Sequence, residues 1–345
     1  MKKKNKILVT GAAGFIGTNF TEKALTLGFD ILAIDVFTYS GLKNNIVRFK
    51  NYNKFKFKKI NIIDKNKIIK LLKDFKPTHI INFAAESHVD RSIDNPTIFI
   101  ETNTLGVVNL LQSIKNADLI NDTTFIQIST DEVYGDVTSQ AKENNRYFPN
   151  SPYSASKASA DLFIRSWTKT YGIKSLILHP SNNYGPRQFP EKLIPLAITN
   201  ALNKNKIPIY GNGNQVREWI FVEDTVDAIL ACLENSKASG HINVGSGKRI
   251  SNLELVQKIC LILENENIKN KFKYSKLIYF TEDRPGHDQK YAISSKKAKL
   301  VLNWKAKVNI DSGLRKTIRW YIKNKDWWTK IKNSIYDGKR LGLKK

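Results

Sequence analysis

Along the first 130 residues, short apolar runs alternate with longer stretches that are apolar on one side only. Lys6 to Thr10, Asp30 to Ile34, Phe55 to Ile62, His79 to Phe83 and Phe125 to Ser129 read as strands, being too brief for helices. Between them, Asn19 to Leu27, Asn66 to Phe75 and Asp94 to Lys115 read as helices, the last with Thr102 and Asn103 facing the sheet. Strands alternating with helices imply βαβ units, hence an α/β chain with a parallel sheet. Ser151-Pro152 marks an N-cap and first helical turn, opening a helix to Tyr171, and Ser175 to His179 is one more strand.

Past Pro186 the rhythm fades. Phe189 to Pro195 enters a helix, Pro208 to Gly211 is a strand and turn, and Arg217 to Asp224 is a strand leading to a capped helix. Ile242 to Gly245 is a short strand, and Asp283 to Asp288 is a loop dense in charge. We therefore expect a dinucleotide-binding domain over 1–185, with part of 217–247 returning to it. A smaller lobe would span 186–330, followed by a tail, 331–345, partly loose after Trp328.

Three places carry candidate chemistry. The first is Gly11-Ala12-Ala13-Gly14-Phe15-Ile16-Gly17, between the first strand and the first helix. Glycines at Gly11, Gly14 and Gly17 let backbone N–H groups approach a pyrophosphate and let helix and strand pack closely. Asp35, ending the second strand, can accept from a ribose 2′-hydroxyl and would repel a 2′-phosphate, which favours NAD over NADP. The second is Ser129-Thr130-Asp131-Glu132, a hydroxyl and two carboxylates at a strand's carboxyl end, where ligands of open α/β sheets bind. One acid can serve as base and the other as proton donor, because close like charges and burial raise a carboxyl pKa. The third is Tyr153 and Lys157, one helical turn apart. The lysine charge is expected to lower the phenol pKa from its usual value near 10, making Tyr153 a base, and an oxidised nicotinamide would act the same way.

A chain of 345 residues with 41% hydrophobic and 25% charged residues is ordinary for a globular protein. Its net charge of +25 fits nucleic-acid binding or attraction of an anionic substrate. The lysines are, however, scattered among Asn and Ile along most helices, without an aromatic-basic RNA motif, so no nucleic-acid partner is expected. Cys232 and Cys260 sit in apolar runs and read as buried thiols of a reducing compartment, with no metal site. Lys2-Lys3-Lys4 before an apolar segment imitates a signal peptide, but Gly11, Gly14 and Gly17 break that segment. No run approaches the roughly 18 apolar residues of a membrane helix. A cytoplasmic protein without a membrane partner is expected.

Together these residues resemble the extended short-chain dehydrogenase/reductases and, within them, the dTDP-glucose 4,6-dehydratases. The resemblance runs from Ile7 to about Trp328. It rests on Ala85-Glu-Ser-His-Val-Asp-Arg91, Ser129-Thr-Asp-Glu-Val-Tyr-Gly135, Asn182-Asn-Tyr-Gly-Pro186, Phe189-Pro-Glu-Lys-Leu-Ile-Pro195 and Asp283-Arg-Pro-Gly-His287. It implies a Rossmann-type doubly wound parallel sheet with a smaller α/β substrate-binding lobe. It also implies NAD as cofactor, a nucleotide-sugar substrate and a homodimer formed through the helices at Thr102–Lys115 and Tyr153–Tyr171. By the same resemblance Tyr153 deprotonates the sugar 4-hydroxyl with Thr130 and Lys157 beside it, Glu132 takes the C5 proton and Asp131 protonates the departing 6-hydroxyl. Phe15, Ile16, Asp35, Thr38, Ala84, Ala85, Thr102 and Asn183 would contact NAD. Asn61 and Ile62 stand where the family usually has an Asp at the adenine amino group, which an amide oxygen can replace. Ser87, Asn182, Lys192, Leu193, Pro208, Tyr210, Arg217, Asn243, Arg284 and His287 would line the sugar-nucleotide site. Arg217 and Arg284 also suit a diphosphate on chemical grounds, since guanidinium forks match phosphate oxygens. A UDP- or GDP-sugar dehydratase, an epimerase on the same scaffold and a non-catalytic dinucleotide- or RNA-binding regulator are the competing readings.

Overall fold

The computed structural model describes residues 6–342 apart from 236–237, 267–271, 337 and 339, so Lys2-Lys3-Lys4 lies outside the described residues. Strand β1 (Lys6–Thr10), helix α1 (Phe15–Thr26), β2 (Asp30–Asp35) and β3 (Phe55–Lys59) open the chain. Helix α2 (Lys65–Phe75), β4 (His79–Asn82), α3 (Val89–Asp94), α4 (Gly106–Asn116), β5 (Thr124–Ile128), α5 (Pro152–Tyr171) and β6 (Lys174–Pro180) follow. Beyond these come β7 (Asn182–Tyr184), α6 (Leu193–Leu202), β8 (Ile207–Tyr210), β9 (Val216–Phe221), α7 (Val222–Glu234) and β10 (Gly240–Val244). The chain closes with β11 (Arg249–Ser251), β12 (Ile278–Thr281), α8 (Ile310–Lys323) and α9 (Lys325–Ser334).

Seven strands form one sheet in the order β10-β6-β5-β4-β1-β2-β3, every pairing parallel. Both faces are covered, as a parallel sheet requires. Ile7, Val9, Ile31 and Ala33 pack into one apolar cluster with Phe20 and Ala24 of α1. Leu8, Leu32 and Ile34, the alternate residues, pack into a second with Leu71, Leu110 and Ile164. Strand order reverses between β1 and β4, which opens a crevice at their carboxyl ends. The remaining strands form a β11-β9-β7 sheet and a β12-β8 pair, packed with α6, α8 and Trp328 around a third core.

Four expectations need correction. The β3 strand ends at Lys59 rather than Ile62. The helix expected from Asp94 to Lys115 is broken: α3 ends at Asp94, Asn95 is extended with φ −143°, and a new turn starts at Pro96. The pyrrolidine ring disfavours helical backbone at the residue before it. Residues Ile100–Leu105 then form a π-helical turn, which buries Asn103 but leaves Thr102 half-buried. Helix α7 has no side-chain cap, because Asp224 instead accepts from the backbone of Lys307 and Val308, both at 3.0 Å. Finally, the chain after Trp328 is not loose over its described residues. Helix α9 runs to Ser334, and Tyr336 packs with Phe189 and Ile331.

Candidate active site

Strand β5 delivers Ser129-Thr130-Asp131-Glu132 to the rim of the crevice. Thr130 caps the short turn Asp131–Tyr134, its hydroxyl accepting from the Glu132 N–H at 3.3 Å. Helix α5 opens on a capping box between Ser151 and Ser154, with Pro152 at its first position. That start fixes the register that places Tyr153 and Lys157 on the face toward β5. Both are buried; the Tyr153 ring meets Phe99 edge-on at 6.3 Å, and its hydroxyl shares a hydrogen bond with Thr130.

The Tyr153 phenol is not lowered overall, and the Lys157 ammonium donates to the Ile128 carbonyl at 2.6 Å, with the Asp161 charge one turn on as its counterweight. Burial pushes the Tyr153 phenol above its ordinary value, the Glu132 charge adds to this, and the Thr130 hydrogen bond pulls down. Burial also draws Lys157 down to about 8. Asp161 in turn collects Ser129 Oγ at 2.6 Å, His179 Nε2 at 3.1 Å and the Tyr147 hydroxyl at 3.3 Å. This hub ties α5 to the ends of β5 and β6. Sequence reading missed it, because its members are distant in the chain.

The adjacent acids differ in surroundings. Asp131 is 2% exposed, and its Oδ2 has no hydrogen-bond partner among the described residues. Burial raises its pKa well above the ordinary carboxylate value, with the Glu132 and Glu218 charges adding and Arg217 and a backbone hydrogen bond opposing. Burial also raises Glu132, but Arg284, Arg217 and Lys192 all oppose it. Burial thus favours a proton on both acids, and Glu132 is the one that faces three cations.

These groups line one cavity of about 290 Å³, reaching from Phe15 and Ile16 on α1 to Tyr210, Arg217, Arg284 and His287. Ser87, Thr130, Asp131, Glu132, Tyr153, Asn182, Asn183, Lys192, Leu193 and Pro208 lie along it too. Lys192, half-buried, donates to the Ser87 carbonyl at 2.5 Å. Arg217 donates to the Asp288 carbonyl at 2.7 Å and lies 4.2 Å from the Tyr291 ring centre. Arg284 pairs with Asp90 at 3.5 Å, and Tyr210 donates to the same carboxylate at 2.8 Å. His287 Nδ1 is 2.6 Å from Asp283, yet burial holds its pKa down at about 4. Asn243 is not brought to the cavity: its amide accepts from Tyr134 at 2.9 Å and donates to the Ala141 carbonyl at 3.0 Å.

At the dinucleotide end, Gly11 has φ +63°, and a Cβ there would lie 2.5 Å from the Ala84 nitrogen; one on Gly17 would lie 2.4 Å from the Gly11 oxygen. Only glycines let β1, β4 and α1 meet so closely. Gly14 leaves the start of α1 without a side-chain cap, so its N–H groups remain for an anion. Asp35 accepts from Ala13 N at 2.9 Å and Phe37 N at 2.7 Å, bracing this turn. Ala85 follows the end of β4 without lining the cavity, half-buried Thr102 does not line it either, and Thr38 is exposed. Ile62 packs under Gly106; exposed Asn61 turns its amide oxygen to the Ile63 N–H at 3.1 Å. Asn103, unassigned from sequence, clasps both backbone groups of Glu86 at 2.8 and 2.9 Å and also reaches Ser156 at 2.9 Å. Ser181 Oγ, Asn182 Oδ1, Asn183 Oδ1 and Trp219 Nε1, all at the cavity wall, are buried without hydrogen-bond partners among the described residues. A wall of polar atoms left unmatched is what a bound polar ligand would satisfy.

Cys232 and Cys260 are buried free thiols, both pushed up to about 12 by burial. No helix of the described residues is long and apolar enough to cross a membrane.

Comparison with known proteins agrees with this geometry. The family model described as GDP-mannose 4,6 dehydratase matches residues 8–317. A probable dTDP-glucose 4,6-dehydratase of Sinorhizobium fredii is 40% identical, covering 98% of this chain and 99% of that protein. The crystal structure of a Bacillus anthracis dTDP-glucose 4,6-dehydratase in complex with NAD superimposes with TM-score 0.85 at 38% identity, over 95% of this chain and 99% of the other. A Streptomyces venezuelae dTDP-glucose 4,6-dehydratase solved with NAD bound gives TM-score 0.87 at 36% identity, over 94% and 99%. The chain, which carries paired acids, a tyrosine–lysine helix and a glycine cradle, therefore belongs to the dTDP-glucose 4,6-dehydratases, within the extended short-chain dehydrogenase/reductases.

Proposed function

We propose that this protein is a lyase converting dTDP-glucose, with NAD held in the glycine crevice, into the 4-keto-6-deoxy sugar nucleotide. The observation that carries this reading is the convergence of Tyr153, Thr130, Asp131 and Glu132 on one cavity that also holds Arg217 and Arg284. The glycine cradle, the uncapped start of α1 and the unmatched Asn183 oxygen fit a dinucleotide. Bound NAD supplies a positive ring that favours the Tyr153 phenolate and a reversible acceptor for the hydrogen on C4. Tyr153 takes the 4-hydroxyl proton while Thr130, hydrogen-bonded to it, steadies the same oxygen. Lys157 holds the nicotinamide ribose and keeps a positive charge behind Tyr153. Once C4 is a ketone, the C5 proton is acidic and Glu132 removes it. Asp131, protonated by its burial, gives its proton to the C6 oxygen, so that water leaves. Glu132 then returns a proton to C5 as the hydrogen taken from C4 is given back at C6, which leaves a C6 methyl group. Arg217 and Arg284 clamp the diphosphate.

The division into a dinucleotide half over 1–185 and a substrate lobe over 186–330 belongs to this proposal, as does a cytoplasmic location, which two free thiols favour. Incubation with dTDP-, UDP- and GDP-glucose tests the reading. A product lighter by one water is expected from dTDP-glucose, and its absence from all three would defeat the proposal.

Hydrogen transfer from C4 needs the Lys157 ammonium, and this group loses its proton as pH rises through about 8. Single-turnover rates should therefore rise with pH as the Tyr153 phenolate is populated and stop rising near that value. A profile still rising past it would remove Lys157 from the role.

The homodimer is likewise proposed, through α5 and the Ile100–Asn116 helical stretch. Ile100 (58% exposed), Leu105 (51%), Leu162 (56%) and Phe163 (42%) present apolar side chains to solvent there. A Leu162→Glu, Phe163→Glu double variant is expected to elute from a sizing column at half the native mass, with its helical circular dichroism unchanged.

A further inference from the structure

Residues 340–342 join elements on both sides of the cavity's substrate end. Arg340 donates to Thr281 Oγ1 at 2.8 Å and to the Asp283 carbonyl at 3.2 Å, and its guanidinium sits 4.7 Å from the Tyr210 ring centre. Two residues on, the Gly342 N–H reaches both oxygens of Asp94, at the end of α3, at 3.1 Å. Gly342 has φ +73°, and a Cβ there would lie 2.9 Å from the Asp90 Cα, so the segment presses on the backbone of α3. Leu341 joins the apolar cluster of Phe189, Ile331 and Tyr336, which also takes in Tyr39 and Leu42.

The residues so gripped are the substrate wall. Asp90 receives the Tyr210 hydroxyl and pairs with Arg284, while Asp283 holds His287. We propose that Arg340 and Gly342 are positioning residues for substrate binding: the C-terminal segment straps β8 and the 283–288 loop to α3, presetting Tyr210, Arg284 and His287 for the nucleoside diphosphate. None of the strap's described residues lines the cavity, so it acts through the wall and not on the reacting atoms. A wall set in advance loses less freedom when ligand arrives, so the strap contributes to affinity and leaves the chemistry alone.

This inference rests on the nucleotide-sugar reading, and the test separates the two. In the NAD-loaded full chain, Arg340→Ala should raise the KM for dTDP-glucose about ten-fold, in line with losing one charged hydrogen-bonding anchor. Its kcat and thermal midpoint should stay near native. Gly342→Val, whose side chain meets α3, should move KM the same way, and Arg340→Lys should recover part of the loss. Native protein that neither dehydrates nor binds dTDP-glucose would overturn the functional reading itself. Active native protein, with KM unchanged in both Arg340→Ala and Gly342→Val, would overturn the strap alone. So would a fall in kcat without a rise in KM.

Discussion

Tyr153→Phe is expected to lose hydrogen transfer from C4 by about 10³-fold or more, the scale of removing a positioned acid–base group. The ring would stay edge-on to Phe99 and the fold would be intact, because what the hydroxyl gives up is its hydrogen bond with Thr130. What goes is the phenolic oxygen assigned to take the 4-hydroxyl proton. Without it the first step fails, and every later step with it. Stopped-flow absorbance of reduced nicotinamide after mixing with dTDP-glucose reads this directly: no transient should form. A transient of native rate in Tyr153→Phe would reassign the base.

Glu132→Gln should separate the steps. The amide keeps the shape and still faces Arg217, Arg284 and Lys192, but it cannot take a proton from C5. Oxidation at C4 should persist at a reduced rate, and reduced nicotinamide should accumulate because elimination is blocked. Overall turnover is expected to fall by about 10²- to 10⁴-fold. Asp131 is affected as well. Losing the neighbouring negative charge removes one of the influences that keep Asp131 protonated, although burial, the larger one, remains. Near-native turnover by Glu132→Gln would refute its assignment.

Much of this site can be read from local sequence because its determinants are local. The Gly11–Gly17 turn needs close backbone approach, Ser151-Pro152 fixes the start of α5, and the Asp131-Glu132 pair follows a strand too short to be anything else. The misreadings occur where a long-range contact outweighs a local preference. The helix after Arg217–Asp224 is expected to be capped, but it has no side-chain cap, and Asp224 takes its partners from the chain 83 residues on. Tyr153 has a lysine one turn away, yet burial in the folded chain pushes its phenol above the ordinary value. The Asp161 hub draws residues from four separate segments, none of which signals the others. A basic tail gave no hint of being tied down. Its anchors, Thr281, Asp283 and Asp94, are set by tertiary packing alone.

In the proposed reaction a hydrogen leaves C4 and comes back to the same sugar at C6, with water lost in between. Turnover of dTDP-glucose deuterated at C4, with mass and NMR analysis of the product, follows that hydrogen. The prediction is a product lighter by one water with deuterium in its C6 methyl group. Deuterium retained at C4, or a product that keeps its 6-hydroxyl, would contradict it.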